Sequence, residues 1–547
     1  MITEQRQRTW LIWVLLLALA LTARVLVARY LVNDGPGDGK IYAQMARNLL
    51  EQHVYSHDTE PPYNPSLIRL PGYPLFLATI YSVFGHYNNT AVRITHAVID
   101  TLTCALVALV AYYWEPDDSR KRRSALAAFA LAAICPFPAI YIATILTETW
   151  ACFFAVSLCL LTTLAFKAAS PRKGLLLWTA VGLLGGVGVF FRPDSGLFVL
   201  AVGLSLVLTS LSRKPLRPKK LSWLLIQGIV LSIAFMSVLV PWTIRNWRTF
   251  HVFQPLAPAH ADMPGEFVPR GYLAWLRTWI DDGRYVETVL WPLDDKQISM
   301  DEMPESAFDS EEEEVRVTEL MEQYNHPPHP PDDEAAPAAS PNTDPTPSSS
   351  PTPSASPGQE KSEEKAPGDQ EPAEETGEAT EEPEEPEQPE MTAAIDAEFA
   401  KIAQERIARH PFRYYLWLPM KRAWSLWANP HADYYPFSGE LFPLDDLDYT
   451  IHQHIWLPLF GILVLLYTLL GFAGAWRLWR AGTRDSRRWL LLVTLLIFIR
   501  LAFFSTIENP EPRYTVEFFP FLAILGGLAI SRLGGRGPAE LAADKRG

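Results

Sequence analysis

The sequence predicts an all-α, polytopic membrane protein with about ten transmembrane helices, interfacial helices in its outer loops and one long disordered acidic insert. Three observations lead there. Apolar runs near 20 residues, the length that crosses a bilayer core about 30 Å thick, recur along the chain. The basic loops between those runs all fall on one side when ten spans are counted. The mean hydropathy of +0.04 and pI near 5.4, which look soluble, come from one segment: residues 301–390 hold 28 Asp and Glu against Arg316, Lys361 and Lys365, a net −25 that leaves +11 on the rest. The remainder is a basic, Trp-rich, apolar protein of the membrane class, and nucleic acid is not an expected partner of either part.

The first apolar run reaches from about residue 10 to Val32, interrupted only by Arg24 and Arg29. At about 34 Å of helix it is too long for a signal-peptide core and is expected to stay as the first span. The others lie at about 91–113, 124–142, 146–166, 174–191, 194–212, 221–242, 455–476, 488–507 and 514–532. The turns "EPDDSRKRRS", "KAASPRKG", "SRKPLRPKK" and "RLWRAGTRDSRR" are basic and mark the cytoplasmic side, together with both termini. Residues 33–90, the segment 243–454 and "STIENPEPRYT" then face outward. Within them "KIYAQMARNLLEQ", "PGYPLFLATIYSVFG" and "HPFRYYLWLPMKRAWSLWANP" have the amphipathic or aromatic character of interfacial helices.

Residues 304–390 contain 17 prolines and little that is apolar, so they cannot bury enough surface to offset chain entropy. The expected organisation is a seven-span core over 1–242 with its first outer loop at 33–90, an outer segment 243–303, the insert 304–390, interfacial helices 391–454, and closing spans with a cytoplasmic tail over 455–547. Cys104, Cys135, Cys152 and Cys159 fall in or beside apolar runs and suggest neither a disulfide nor a zinc framework. The histidines, "HPPH" at 326–329 and His452 with His454, give no metal-binding spacing.

Charges collect at the outer ends of the spans, where the positive-inside rule disfavours Arg and Lys. Asp34, Asp38 and Lys40 follow the first span, Arg69 precedes "LPGYP", Glu148 begins the fourth span, and Arg192 stands in "FRPDSG". Arg245 and Arg248 follow the seventh span and Arg513 precedes the last. An ionisable group at membrane depth is a functional candidate. Arginines gathered beside acids suit an anionic ligand such as a lipid phosphate. Asp100, deeper in the second span, is expected to pair with an Arg or with His96.

In order and placement, "GDGKIYAQMARNLLEQHVYS", "IRLPGYPLFLATIYSVFG", "LTET", "FRP", "PWTIRNWRTFHVF" and "EPRYTVEFFPFLAIL" resemble the GT-C membrane glycosyltransferases that use polyprenyl-phosphate sugars, the group holding protein O-mannosyltransferases and lipid A aminoarabinose transferases. The resemblance implies that Asp38 is the catalytic carboxylate of the first outer loop and Glu148 the acid of the second. Family members often carry two adjacent acids at the first site, whereas Asp38 is followed by Gly39. The long acidic insert is also outside the family pattern. The chemistry is consistent: a polyprenyl phosphate is already a good leaving group, so one base suffices. Lys40, Arg69, Arg192, Arg245 and Arg513 are the candidates to hold the phosphate, and Asp38 with Glu148 the candidate ligands if a divalent metal takes part. The expectation is therefore an inverting hexosyl- or pentosyltransferase of the bacterial inner membrane, acting on its outer face. Its partners would be a polyprenyl-phosphate sugar, a lipid, glycan or protein acceptor, and membrane lipids. The alternative is a transporter or flippase of a lipid-linked sugar, against which stands the lack of an internal repeat.

Overall fold

The structure, a computed structural model, describes residues 2–33, 37–212, 218–260, 262–327, 388–432, 434–435 and 452–533. Asp34, the loop 213–217, residues 328–387 and the tail after 533 lie outside the described residues. All regular structure among the described residues is helical.

The membrane portion opens with α1 (Ile2–Tyr30). Two shorter helices follow, α2 (Asp38–Glu51) and α3 (Gly72–Phe84), packed against each other. Then come α4 (Asn89–Trp114), α5 (Lys121–Ile134), α6 (Pro136–Ala139), α7 (Glu148–Phe166), α8 (Pro171–Phe191), α9 (Gly196–Leu211) and α10 (Pro218–Phe250). After an intervening segment the chain returns through α16 (Leu457–Ala481), α17 (Arg484–Phe504) and α18 (Phe518–Leu533). Seven of these, α1, α4, α7, α8, α9, α10 and α16, are long and apolar enough to cross a membrane. The expected span 124–142 is α5 followed by a break: Cys135 is extended, Pro136 lacks the N–H that would continue the helix, and the axis bends by 51°. The last two expected spans are also helices but depart from the simple pattern. α17 carries Arg484, Asp485, Arg487, Arg488 and Arg500, while α18 has 16 residues and so is only about 24 Å long.

α18 is short because it is a core element. It packs against α16, α5 and α4, and Phe521, Leu522, Ala523, Ile524, Leu525 and Leu528 are buried on every side of it, as a helix apolar all round must be. α10, at the periphery, instead exposes Leu225, Ile229, Ile233, Met236, Val240 and Ile244. That stripe at three- and four-residue spacing is the face a lipid-contacting helix presents.

The intervening segment, expected to face outward, holds α11 (Arg270–Leu276), α12 (Arg284–Val289), α13 (Glu311–Asn325), α14 (Ala393–Arg409) and α15 (Leu418–Ala428). Residues 304–327, which composition places in the disordered insert, are instead folded. The Ser310 hydroxyl caps α13 by accepting from the Glu313 N–H at 3.2 Å. Val317, Leu320, Met321 and Tyr324 bury one face against Tyr272, Trp275 and Phe399. Glu313 is buried with them, while Glu311, Glu312, Glu314, Glu319 and Glu322 are exposed and mask a helical apolar period. Arg406 of α14, almost fully buried, pairs with Glu313 and with Asp309, the latter at 3.2 Å. α15 behaves as an interfacial helix should: Leu418, Arg422 and Leu426 are buried, while Phe412 and Tyr415 just before it and Met420 and Trp424 within it are exposed.

Candidate active site

Several elements bring ionisable side chains to one end of the bundle. Asp38 opens α2 as the acid of its first turn, where the helix dipole favours a carboxylate. Gly39 lies close against the turn that precedes α7: a Cβ there would sit 3.3 Å from the Ile145 carbonyl. That closeness places Asp38 beside the segment that ends in Glu148. Gly72 does the same for Arg69, since a Cβ at Gly72 would lie 2.6 Å from the Phe190 carbonyl. The "RLPGYP" loop is thereby pressed onto the end of α8, next to Arg192.

Two ion-paired groups result. In the first, Asp38 lies between two guanidiniums, Arg69 at 2.7 Å and Arg513 at 3.0 Å, each on a different carboxylate oxygen. Burial alone would raise the Asp38 pKa; the charges of Arg513 and Arg69 outweigh it and hold the carboxyl below its ordinary range. Burial opposes the charge on Arg513, yet Glu511, Tyr514 and the nearby Glu148 and Asp38 keep it firmly protonated. Tyr42, one turn after Asp38, is pushed up to about 12 by burial and then by Asp38, so it stays a neutral phenol.

The second group is deeper. Arg192, at the end of α8, donates to Glu148 at 2.5 Å, to Thr147 at 3.3 Å and to Asp194 at 2.9 Å. Arg500 of α17 joins it, with Nη2 at 2.8 Å from both Asp194 and Glu517. Two guanidiniums thus face three carboxylates, and the second oxygens of Glu148 and Glu517 are buried without a hydrogen-bond partner.

Of the residues singled out from the sequence, Asp38, Arg69 and Arg513 meet directly, and Glu148 with Arg192 form the neighbouring pair. Lys40 does not join them; it is exposed on α2. Arg245 is turned to another task, stacking over Trp242, Phe250 and Tyr55 and donating to the Ser66 carbonyl at 2.8 Å. Asp100 pairs with Arg24 at 2.8 Å, as expected of a buried acid, and so ties α1 to α4. Among the described residues no group of three or more His, Cys, Asp and Glu side chains could hold a metal ion, and both oxygens of Asp38 are taken by arginines. The sequence reading missed Arg500, Asp194, Glu511 and Glu517. Their signal was a charge inside or at the mouth of an apolar run, the same signal that identified Glu148.

Residues 64–242 match the family described as dolichyl-phosphate-mannose-protein mannosyltransferase. The matched segment holds Arg69, Glu148 and Arg192, and the resemblance read from the sequence is borne out there. No curated protein matches the chain. Among solved structures, the apo oligosaccharyltransferase of Archaeoglobus fulgidus is 13% identical with a TM-score of 0.44, over 97% of this chain and 52% of that one. The chain thus spans about half the length of that protein. ArnT from Cupriavidus metallidurans bound to undecaprenyl phosphate is 12% identical with a TM-score of 0.35, over 95% of this chain and 78% of that one.

Proposed function

We propose that this protein is a membrane glycosyltransferase that moves a sugar from a polyprenyl phosphate to an acceptor hydroxyl on the outer face of the bacterial inner membrane. The observation that carries this reading is Asp38 clamped between Arg69 and Arg513, within a chain whose residues 64–242 match a lipid-phosphate-sugar transferase family. A donor phosphate is the natural competitor for those guanidiniums, because phosphate oxygens accept the same charge-assisted hydrogen bonds from arginine as carboxylate oxygens do.

Asp38 held by two arginines is a weak base. When the phosphate takes the arginines, the carboxylate loses the charges that depress its pKa and becomes a better one. It then accepts the proton of the acceptor hydroxyl as that oxygen attacks the anomeric carbon. The bond to the phosphate oxygen breaks on the opposite face, giving inversion. The electron pair leaves with the polyprenyl phosphate, whose added charge is stabilised by Arg69 and Arg513. Glu148 holds Arg192 behind this site and keeps its positive charge in place.

Envelope glycans and lipids from a strain lacking the gene, compared by mass spectrometry with the parent, test the reading. One sugar decoration should disappear and its polyprenyl-phosphate sugar accumulate. Unchanged decorations with an unchanged lipid pool would refute it.

A further inference from the structure

Resting on that reading of the phosphate site, we propose that Arg500 is the positioning residue for Arg513. Arg500 touches neither Asp38 nor Arg513. It sits near the end of α17, fully buried, at a depth where a charge is costly and needs a purpose. One purpose is to neutralise Asp194 and Glu517. A second is seen at Nε, which donates to the Tyr514 carbonyl at 2.7 Å, one residue after Arg513.

Phe504, one turn further along α17, holds the rest of the turn. The Tyr514 ring stacks on Phe504 with centroids 4.3 Å apart and planes 18° apart, and the Arg500 guanidinium lies over that same Phe504 ring at 4.9 Å. The Tyr514 hydroxyl donates to Glu511 at 2.7 Å, and Glu511 also pairs with Arg513. Residues Pro512–Thr515 form a single 3₁₀ turn, too short to hold its own shape. It takes its shape from Arg500 at the backbone and Phe504 at the ring, and Arg513 projects from it to Asp38. A short-range error in this turn would displace the guanidinium that receives the phosphate.

The test uses the full chain in nanodiscs. Removing Arg500 alone would leave buried carboxylates unbalanced, so the principal variant is the charge-balanced R500Q/E517Q, with R500K as a milder companion that keeps the charge but not the fork. Hydrogen exchange should quicken at residues 511–517 and stay unchanged in α4 and α7. Affinity for undecaprenyl phosphate should fall roughly tenfold, the size of one lost charge-assisted contact. Adding R513A to R500Q/E517Q should weaken binding little further, because both changes disable the same contact. A folded R500Q/E517Q, or a folded R500K if the first fails to fold, with wild-type exchange and wild-type lipid-phosphate affinity would overturn the assignment. If the turn loosens as expected but wild-type protein and R513A bind undecaprenyl phosphate equally poorly, the positioning role stands and the phosphate-site reading falls.

Discussion

A carboxylate in contact with two guanidiniums is poorly placed to accept a proton, and that conflict shapes what each residue of the site should do when changed. Asp38 is held below its ordinary range by Arg513 and Arg69 against the effect of burial. Its ion pairs therefore contribute stability that is present above the unfolded-chain value of about 3.9 and is lost as pH falls through the lower folded value. The same shift predicts two separated pH profiles. The acid limb of kcat/KM, which reports the free enzyme, should lie below about pH 3.9; that of kcat, which reports the donor complex, should lie higher because the arginines have moved to the phosphate. Coincident limbs in the two profiles would count against partner exchange. Arg513→Ala should weaken donor binding by about 1.5–3 kcal/mol, as for a desolvated charge-assisted hydrogen bond, and equilibrium binding of undecaprenyl phosphate measures it. Asp38, Glu148, Arg69, Arg192 and Arg513 were legible in the sequence because each interrupts or borders an apolar run. Arg500 was not, since a single Arg inside a span reads equally as a flaw in the span, and its tasks show only in its contacts with Asp194, Glu517 and the Tyr514 carbonyl.

At the level of elements, the site depends on how closely the loops press on the helix ends. Gly72→Ala would drive a Cβ to 2.6 Å from the Phe190 carbonyl, so the "RLPGYP" loop must lift and carry Arg69 away from Asp38. Thermal unfolding should show a loss of about 1–3 kcal/mol, as for overpacking, together with weaker lipid-phosphate binding; an unchanged variant would show that the contact is not needed. The helices themselves were readable from length and apolarity, apart from the bend at Pro136 and the shortness of α18, which depends on its surroundings. α13 was not read because a charge count over a window averages away periodicity; Val317, Leu320, Met321 and Tyr324 carried the signal at helical spacing. The fold of α13 sets what deletion should do. The Glu390 N–H donates to the Tyr324 carbonyl at 3.1 Å, so the chain leaves and re-enters the fold at one place, and a short linker replacing 328–387 should preserve the melting temperature. Deleting 310–388 removes α13, strips Arg406 of Glu313 and uncovers Tyr272, Trp275 and Phe399. That protein should be markedly less stable.

For the whole molecule, the proposed reaction needs one face of the membrane to hold the entire charge cluster, and the proposed topology puts that face outside, opposite the basic loops. A reporter active only outside the cytoplasm should be active when inserted after Pro327 and silent after Lys219; activity at Lys219 would invert the map. The cluster itself joins α2, α7, α8, α17 and the turn before α18, elements far apart in sequence. No single motif could announce it, and only the order of weak motifs did so. Its most direct test is Asp38→Asn, which keeps size and one acceptor oxygen but cannot take the proton. Purified wild type and variant in nanodiscs would be given lipid-linked sugars from native membrane extract, with donor binding and product formation measured on each. Base catalysis by Asp38 predicts that the variant binds donor at least as well as wild type, because Arg69 and Arg513 are less tightly held, while transfer falls by about 10²–10⁴. Product formed at the wild-type rate by Asp38→Asn, or wild-type protein that forms none but carries a donor across the bilayer, would contradict it.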